Sequence, residues 1–158
     1  MSALVPTFRA MRAVAILVTS LGFAVLSCAA PGSTQQHSSA CSASAVAFWN
    51  EFRTAVVENR LDVIQSKTKF PFYTRGSLDS DKRKALDAGE FKKQLPALLD
   101  ADTGLSPDGQ PLPMHTYIKN YERLRDSDCD SGHKKIRIAN WVFDLTANGW
   151  NFSFAYTE

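Results

Sequence analysis

Asp126, Asp128 and Asp130 stand at the alternate positions that open a calcium-binding loop. The later requirements of such a loop go unmet. Ser131 stands where the sharp turn needs glycine, and Arg137 where a bidentate glutamate completes the ligand set. Asp100 and Asp102 fail similarly, with Gly104 and Pro111 at later ligand positions. Carboxylates in a turn without those partners read as solvated, so no metal is expected. Proton transfer near neutral pH needs an imidazole, or a carboxylate tuned by burial. Of the polar residues able to line a pocket, Tyr73, His115, Tyr117 and Tyr121, only His115 carries an imidazole. His133 adjoins Lys134 and Lys135 in a turn and reads as exposed. The chain has no Gly-rich phosphate loop, no His-Glu-x-x-His and no Gly-x-Ser-x-Gly. No catalytic residue and no cofactor are assigned.

Charge narrows the partner classes. The 158 residues carry 18 Lys and Arg against 16 Asp and Glu. Residues 1–27 hold Arg9, Arg12 and no acid, so without them the balance is 16 against 16. A neutral domain does not indicate nucleic-acid binding.

Arg9 and Arg12 precede an apolar run of 14 residues, Ala13 to Leu26. As a helix it would span about 21 Å, short of a hydrocarbon core of about 30 Å. That length fits the apolar region of a secretory signal. The run ends Val25-Leu26-Ser27-Cys28, which resembles the lipobox of bacterial lipoproteins. The resemblance implies a signal peptide over 1–27 and a lipid on Cys28. With Ala29 next, it also implies an outer-membrane protein facing the periplasm. Ordinary cleavage at small residues, for example after Ala29, is the alternative. Residues 29–40 lack core-forming side chains and read as a flexible tether with a reach of roughly 20 Å. His37, within it, has no neighbours of metal-ligand type.

A lipidated Cys28 leaves Cys41 and Cys129, an even pair in an oxidising compartment, which suggests a disulfide.

The remainder, 41–158, reads as one α+β domain. Ser42 or Ser44 caps a helix from about Ala45 to Glu58, whose apolar stripe is Ala45, Phe48, Trp49, Phe52, Ala55 and Val56. A short helix follows over Leu61 to Ser66. Phe70 to Gly76 reads as a strand starting at a sheet edge because it contains Pro71. Residues 77–88 read as loop. Asp87 and Glu90 have capping-box spacing for a third helix with Phe91, Leu95, Leu98 and Leu99 on one side, kinked or restarted at Pro96. Residues 101–113 read as loop, and Met114 to Leu124 as a fourth helix. Ile136 to Leu145 and Trp150 to Tyr156 flank Asn148-Gly149, a strong hairpin signal. Centred there, the turn pairs Leu145 with Phe152, Phe143 with Phe154 and Trp141 with Tyr156, all on one helix-packed face, so Asp144 looks outward. Ile136 and Ile138 then fall in phase with the outer face, unless a bulge near Ala139–Asn140 returns them to the core.

Phe48-Trp49-Asn50-Glu51-Phe52, Lys69-Phe70-Pro71-Phe72, Glu90-Phe91, Trp141-Val142-Phe143, Gly149-Trp150 and Ala155-Tyr156, in that order, resemble the nuclear transport factor 2-like superfamily, in particular its small proteobacterial envelope proteins. The resemblance implies helices packed in the concave face of a small curved antiparallel sheet, forming a cone with a cavity at its open end. Tyr73, His115, Tyr117, Tyr121, Trp141, Phe143 and Phe154 are the candidate pocket. Three functions follow as expectations. The first is a membrane-tethered domain that binds a protein partner or a small apolar ligand without catalysis, for instance an immunity or inhibitor protein. The second is an acid–base lyase or isomerase using His115 or Tyr73 on a small hydrophobic substrate. The third is a structural envelope protein that forms a homodimer through the outer sheet face, which Ile136, Ile138 and Val142 exposed together would favour.

Overall fold

The computed structural model describes residues 41–78 and 80–157. The expected signal peptide, Cys28, the expected tether and His37 lie outside the described residues. Among the described residues, no helix is long and apolar enough to cross a membrane.

The domain is α+β, with one core beneath a five-stranded mixed sheet. Helix α1, Ala43–Val57, starts at Ser42, whose hydroxyl accepts the Ala45 N–H at 3.2 Å. Its buried side chains are the six of the apolar stripe. Helix α2, Leu61–Ser66, follows and buries Ile64. Helix α3, Ala88–Asp100, begins with both bonds of the capping box, Glu90 N–H to Asp87 at 2.8 Å and Asp87 N–H to Glu90 at 3.1 Å. The helix continues through Pro96, whose ring is exposed. Helix α4, Met114–Asn120, is shorter than expected: it ends where the Tyr121 N–H bonds the Ile118 carbonyl.

The strands depart more from expectation. Strand β1, Thr68–Gly76, is internal: it pairs with β2, Lys84–Leu86, on one side and with β5, Gly149–Thr157, on the other. Pro71 is tolerated because the β1–β5 ladder is interrupted between Thr68 and Tyr73, while β2 pairs only with Phe72 to Thr74. Strand β2 arises within the expected loop 77–88, where Leu86 lies opposite Phe72 and both are fully buried.

The expected single strand from Ile136 to Leu145 is two strands, β3, Lys135–Ile138, and β4, Trp141–Thr146. Ile138 pairs with Trp141, so Ala139 and Asn140 form a two-residue turn, with Ala139 at φ 48°. This reversal, where a bulge was the expected device, places Ile136 and Ile138 in the core.

The sheet order is β2-β1-β5-β4-β3. It is mixed, not wholly antiparallel, because β1 and β5 run parallel. They are joined by a long connection through α3 and α4, the kind of crossover that parallel neighbours require.

The closing hairpin also differs in register. Thr146 pairs with Gly149, so Ala147 and Asn148 occupy the turn, and Gly149 takes positive φ, 100°. Phe143 pairs with Phe152, but Val142 pairs with Phe154 and Trp141 with Ala155. Ser153 is therefore an extra residue, a β-bulge whose hydroxyl donates to the Val142 carbonyl at 3.1 Å. The bulge turns Phe154 and Tyr156, expected inward, to the opposite face. It sets small Ala155 opposite the buried Trp141 indole, where continuing the Phe143–Phe152 register unbroken would place Phe154. Leu145, at the hairpin's end, is exposed.

Cys41 and Cys129 form a disulfide with Cα atoms 5.3 Å apart. It ties the start of α1 to the segment after a short 3-10 turn, Asp126–Asp128.

Candidate functional site

The helix-packed side of the sheet is filled. Phe152 lies at the centre of a ring cluster, its centroid 4.5 Å from Trp141, 4.7 Å from Phe72, 5.2 Å from Phe143 and 5.5 Å from Phe52. Trp141 and Phe143, two members of the expected pocket, are part of this core. The core's buried side chains include no histidine, aspartate or glutamate.

The other expected pocket residues fall into two further places. Tyr117 and Tyr121 stack at 5.4 Å on the helical side, where the Tyr121 hydroxyl donates to Asp128 at 2.6 Å. His115 is exposed, its Nδ1 3.1 Å from the Leu99 carbonyl and 3.4 Å from Asp100. Tyr73 and Phe154 lie on the opposite face of the sheet, which is helix-free among the described residues. The seven residues therefore do not meet in one cavity.

The aspartates of the calcium-like spacing organise turns. Asp128 also accepts the Arg125 N–H at 2.6 Å, and Asp130 accepts the N–H groups of Lys134 and Lys135, both at 2.8 Å. Among the described residues, no group of three or more His, Cys, Asp or Glu side chains could hold a metal ion.

The Tyr121 contact has a testable pH signature. Burial first, then the hydrogen bond to Asp128, raise the phenol's pKa above its ordinary value. The unfolded chain would release this proton near pH 10, the folded chain only at higher pH. The associated stability is therefore complete below pH 10 and is lost as pH climbs beyond it. Wild type should exceed Tyr121→Phe by about 1–2 kcal/mol in urea unfolding at pH 8, with the gap narrowing towards pH 11. A constant gap across that range would contradict the assignment.

The helix-free face holds what sequence reasoning missed. Cross-strand pairing places Tyr73 beside Phe154, Arg75 beside Tyr156, Val142 beside Phe154 and Arg137, and Lys135 beside Asp144. Side chains directly opposite one another in a sheet share a face. With Asp81 and Arg83, all of these but Tyr73 line a groove of about 520 Å³. The Arg83 guanidinium lies 4.0 Å from the Tyr73 ring centroid and 5.2 Å from that of Phe154. Arg137 and Arg75 lie 5.1 Å and 5.6 Å from the Tyr156 centroid. Each such contact contributes about 0.5–1 kcal/mol at an exposed site and more when desolvated.

Two carboxylates enter the same groove and both are engaged. Asp144 faces away from the core rings and accepts from Lys135 Nζ at 2.9 Å. Asp81 accepts the Leu78 N–H at 2.9 Å. Gly76 makes this approach feasible, since a Cβ there would overlap the Asp81 carboxylate. The loop can then fold back and lay Arg83 over the sheet. Among the described residues, four cations against two acids, over an aromatic floor, suit anion recognition, and no imidazole or thiol lines the groove.

No protein family, curated protein sequence or solved structure matches the chain.

Proposed function

We propose that this chain is a non-catalytic binding domain that engages a protein partner through the helix-free face of its sheet. The observation that carries this reading is the contrast between the two faces. One is packed solid with rings, and the other presents a groove of ordered cations and exposed aromatic edges. A small apolar ligand would need an interior cavity, and the ring cluster occupies that space. The order of helices, Phe-Pro strand and closing hairpin supports treating the fold as a nuclear transport factor 2-like variant whose cone is filled by side chains.

The N-terminal signal and Cys28 support a lipid-anchored protein of the outer membrane, facing the periplasm. The disulfide accords with an oxidising compartment. An immunity or inhibitor role would use the same face. The lyase or isomerase reading needs His115 or Tyr73 beside a second polar group in a closed cavity. His115 is exposed on the helical side and Tyr73 lies on the other, which gives that reading no support. Dimerisation through the outer face called for exposed Ile136 and Ile138, and both are buried.

A photo-crosslinking amino acid in place of Tyr156, in the full chain expressed in a Gram-negative bacterium, tests the reading. Irradiation should yield one adduct of defined mass, while the same probe at exposed Leu105 yields none. Equal labelling from both positions, or none from Tyr156, refutes binding through this face. Mass spectrometry of the membrane fraction should find the lipid on Cys28.

A further inference from the structure

We propose that the groove accepts an extended, acidic segment of the partner protein, with two carboxylates about four residues apart and an apolar side chain between them. This deepens the reading above and rests on it.

The charges define the ligand's sign. Lys135 is paired with Asp144, but among the described residues neither Arg83 nor Arg137 has a carboxylate within ion-pair distance. Both guanidinium groups lie over rings, Arg83 on Tyr73 and Arg137 on Tyr156. Arg137 Nε donates to the Ala139 carbonyl at 3.5 Å, and stacking leaves the terminal N–H donors of both guanidinium groups available for a forked contact with a carboxylate. It also restrains the side chain before the ligand arrives, which lowers the ordering cost of binding.

The ring contacts set the spacing. The Arg83 guanidinium lies 5.2 Å from the Phe154 centroid, that ring lies 4.7 Å from Tyr156, and Arg137 lies 5.1 Å from the Tyr156 centroid. These contacts hold the two guanidinium groups no more than about 15 Å apart. An extended chain rises about 3.3 Å per residue, so about four residues bridge them. An even separation puts both carboxylates on the same side of that segment. The side chain between them on that side would meet Phe154 and Tyr156. The groove volume, about 520 Å³, falls within the roughly 300–1,000 Å³ of ordinary ligand clefts.

Other occupants fit less well. A nucleic acid or an anionic membrane presents unbroken negative charge, which Asp81 and Asp144 would oppose. A second copy of the chain, in a two-fold contact, would set this face against itself and its cations against cations.

The test uses the full chain in mild detergent and a fluorescent peptide, Gly-Glu-Thr-Leu-Thr-Glu-Gly, beside its analogue with Gln for both Glu. The acidic peptide should bind at least ten-fold more tightly than the analogue. Arg83→Gln and Arg137→Gln should each cut its affinity about ten-fold, whereas Lys92→Gln on α3 leaves it unchanged. Unaltered thermal midpoints establish that the variants are folded. Arg83→Lys, which keeps the charge but loses the fork, should fall between. Equal affinity for the two peptides, no binding of either, or insensitivity to both arginine variants overturns the inference. So does arginine-dependent binding to phosphatidylglycerol vesicles or to RNA without binding of the acidic peptide. An adduct through position 156 combined with a negative peptide result would leave a protein-binding face with a different ligand class. The absence of that adduct defeats both.

Discussion

Phe152→Ala should lower the unfolding free energy by about 4 kcal/mol, within the range of about 3–5 kcal/mol for deleting a buried phenyl ring. Phe152 has no exposed surface and meets rings from α1, α3, β1 and β4. The hole left would be lined by aromatic side chains pinned by their own contacts, so little collapse can offset the loss. Against a typical domain stability of about 5–15 kcal/mol, this variant would unfold well below the wild-type denaturant midpoint. Phe152→Leu, which retains most of the volume, should cost less than about 2 kcal/mol. The informative control is Phe154→Ala, two residues on. An unbroken strand would put the two rings on one face at similar cost. With the bulge at Ser153, Phe154 is half-exposed and its loss should cost about 1 kcal/mol. Equal penalties in chemical denaturation would refute the bulge and the two-faced sheet together.

The second large effect concerns the Cys41–Cys129 bridge. It closes a loop spanning a sequence separation of 88. Chain-entropy reasoning gives about 4–5 kcal/mol for a loop of that size, with measured bridges usually contributing about 2–4 kcal/mol. Replacing both cysteines by alanine should therefore cost about 4 kcal/mol. Wild type measured in strong reductant should match the double variant within error. If it stays as stable in reductant as in air while its thiols react quantitatively, the bridge does not constrain the unfolded chain as argued.

The helices were legible because their information is local. The stripe of α1 repeats at the helical period, and Asp87 and Glu90 form their capping box within one turn. The disulfide followed from counting cysteines. The strands were harder for identifiable reasons. Ala139–Asn140 contains neither glycine nor proline, so the chain reversal between β3 and β4 has no local marker. The burial of Ile136 and Ile138 accompanies a positive φ at Ala139 that its sequence does not advertise. The bulge at Ser153 depends on how Trp141 and Ala155 share space across two strands, which periodicity along one strand cannot reveal. The groove was invisible for the same reason on a larger scale. Arg75, Arg83, Lys135, Arg137 and Tyr156 are scattered over 82 positions and become neighbours only through the ladders of five strands. Asp144 was placed on the outward side from the hairpin alternation, and it lies there; its company was not foreseen.

The parallel pairing of β1 with β5 has a consequence for biogenesis. The strand at the middle of the sheet is also the one furthest along the chain, so β1 waits for a neighbour that emerges from the ribosome about eighty residues later. At roughly 5–20 residues per second, that delay lasts on the order of ten seconds. Until then the nascent polypeptide cannot close its sheet and stays threadable, the state that the export proposed above would require.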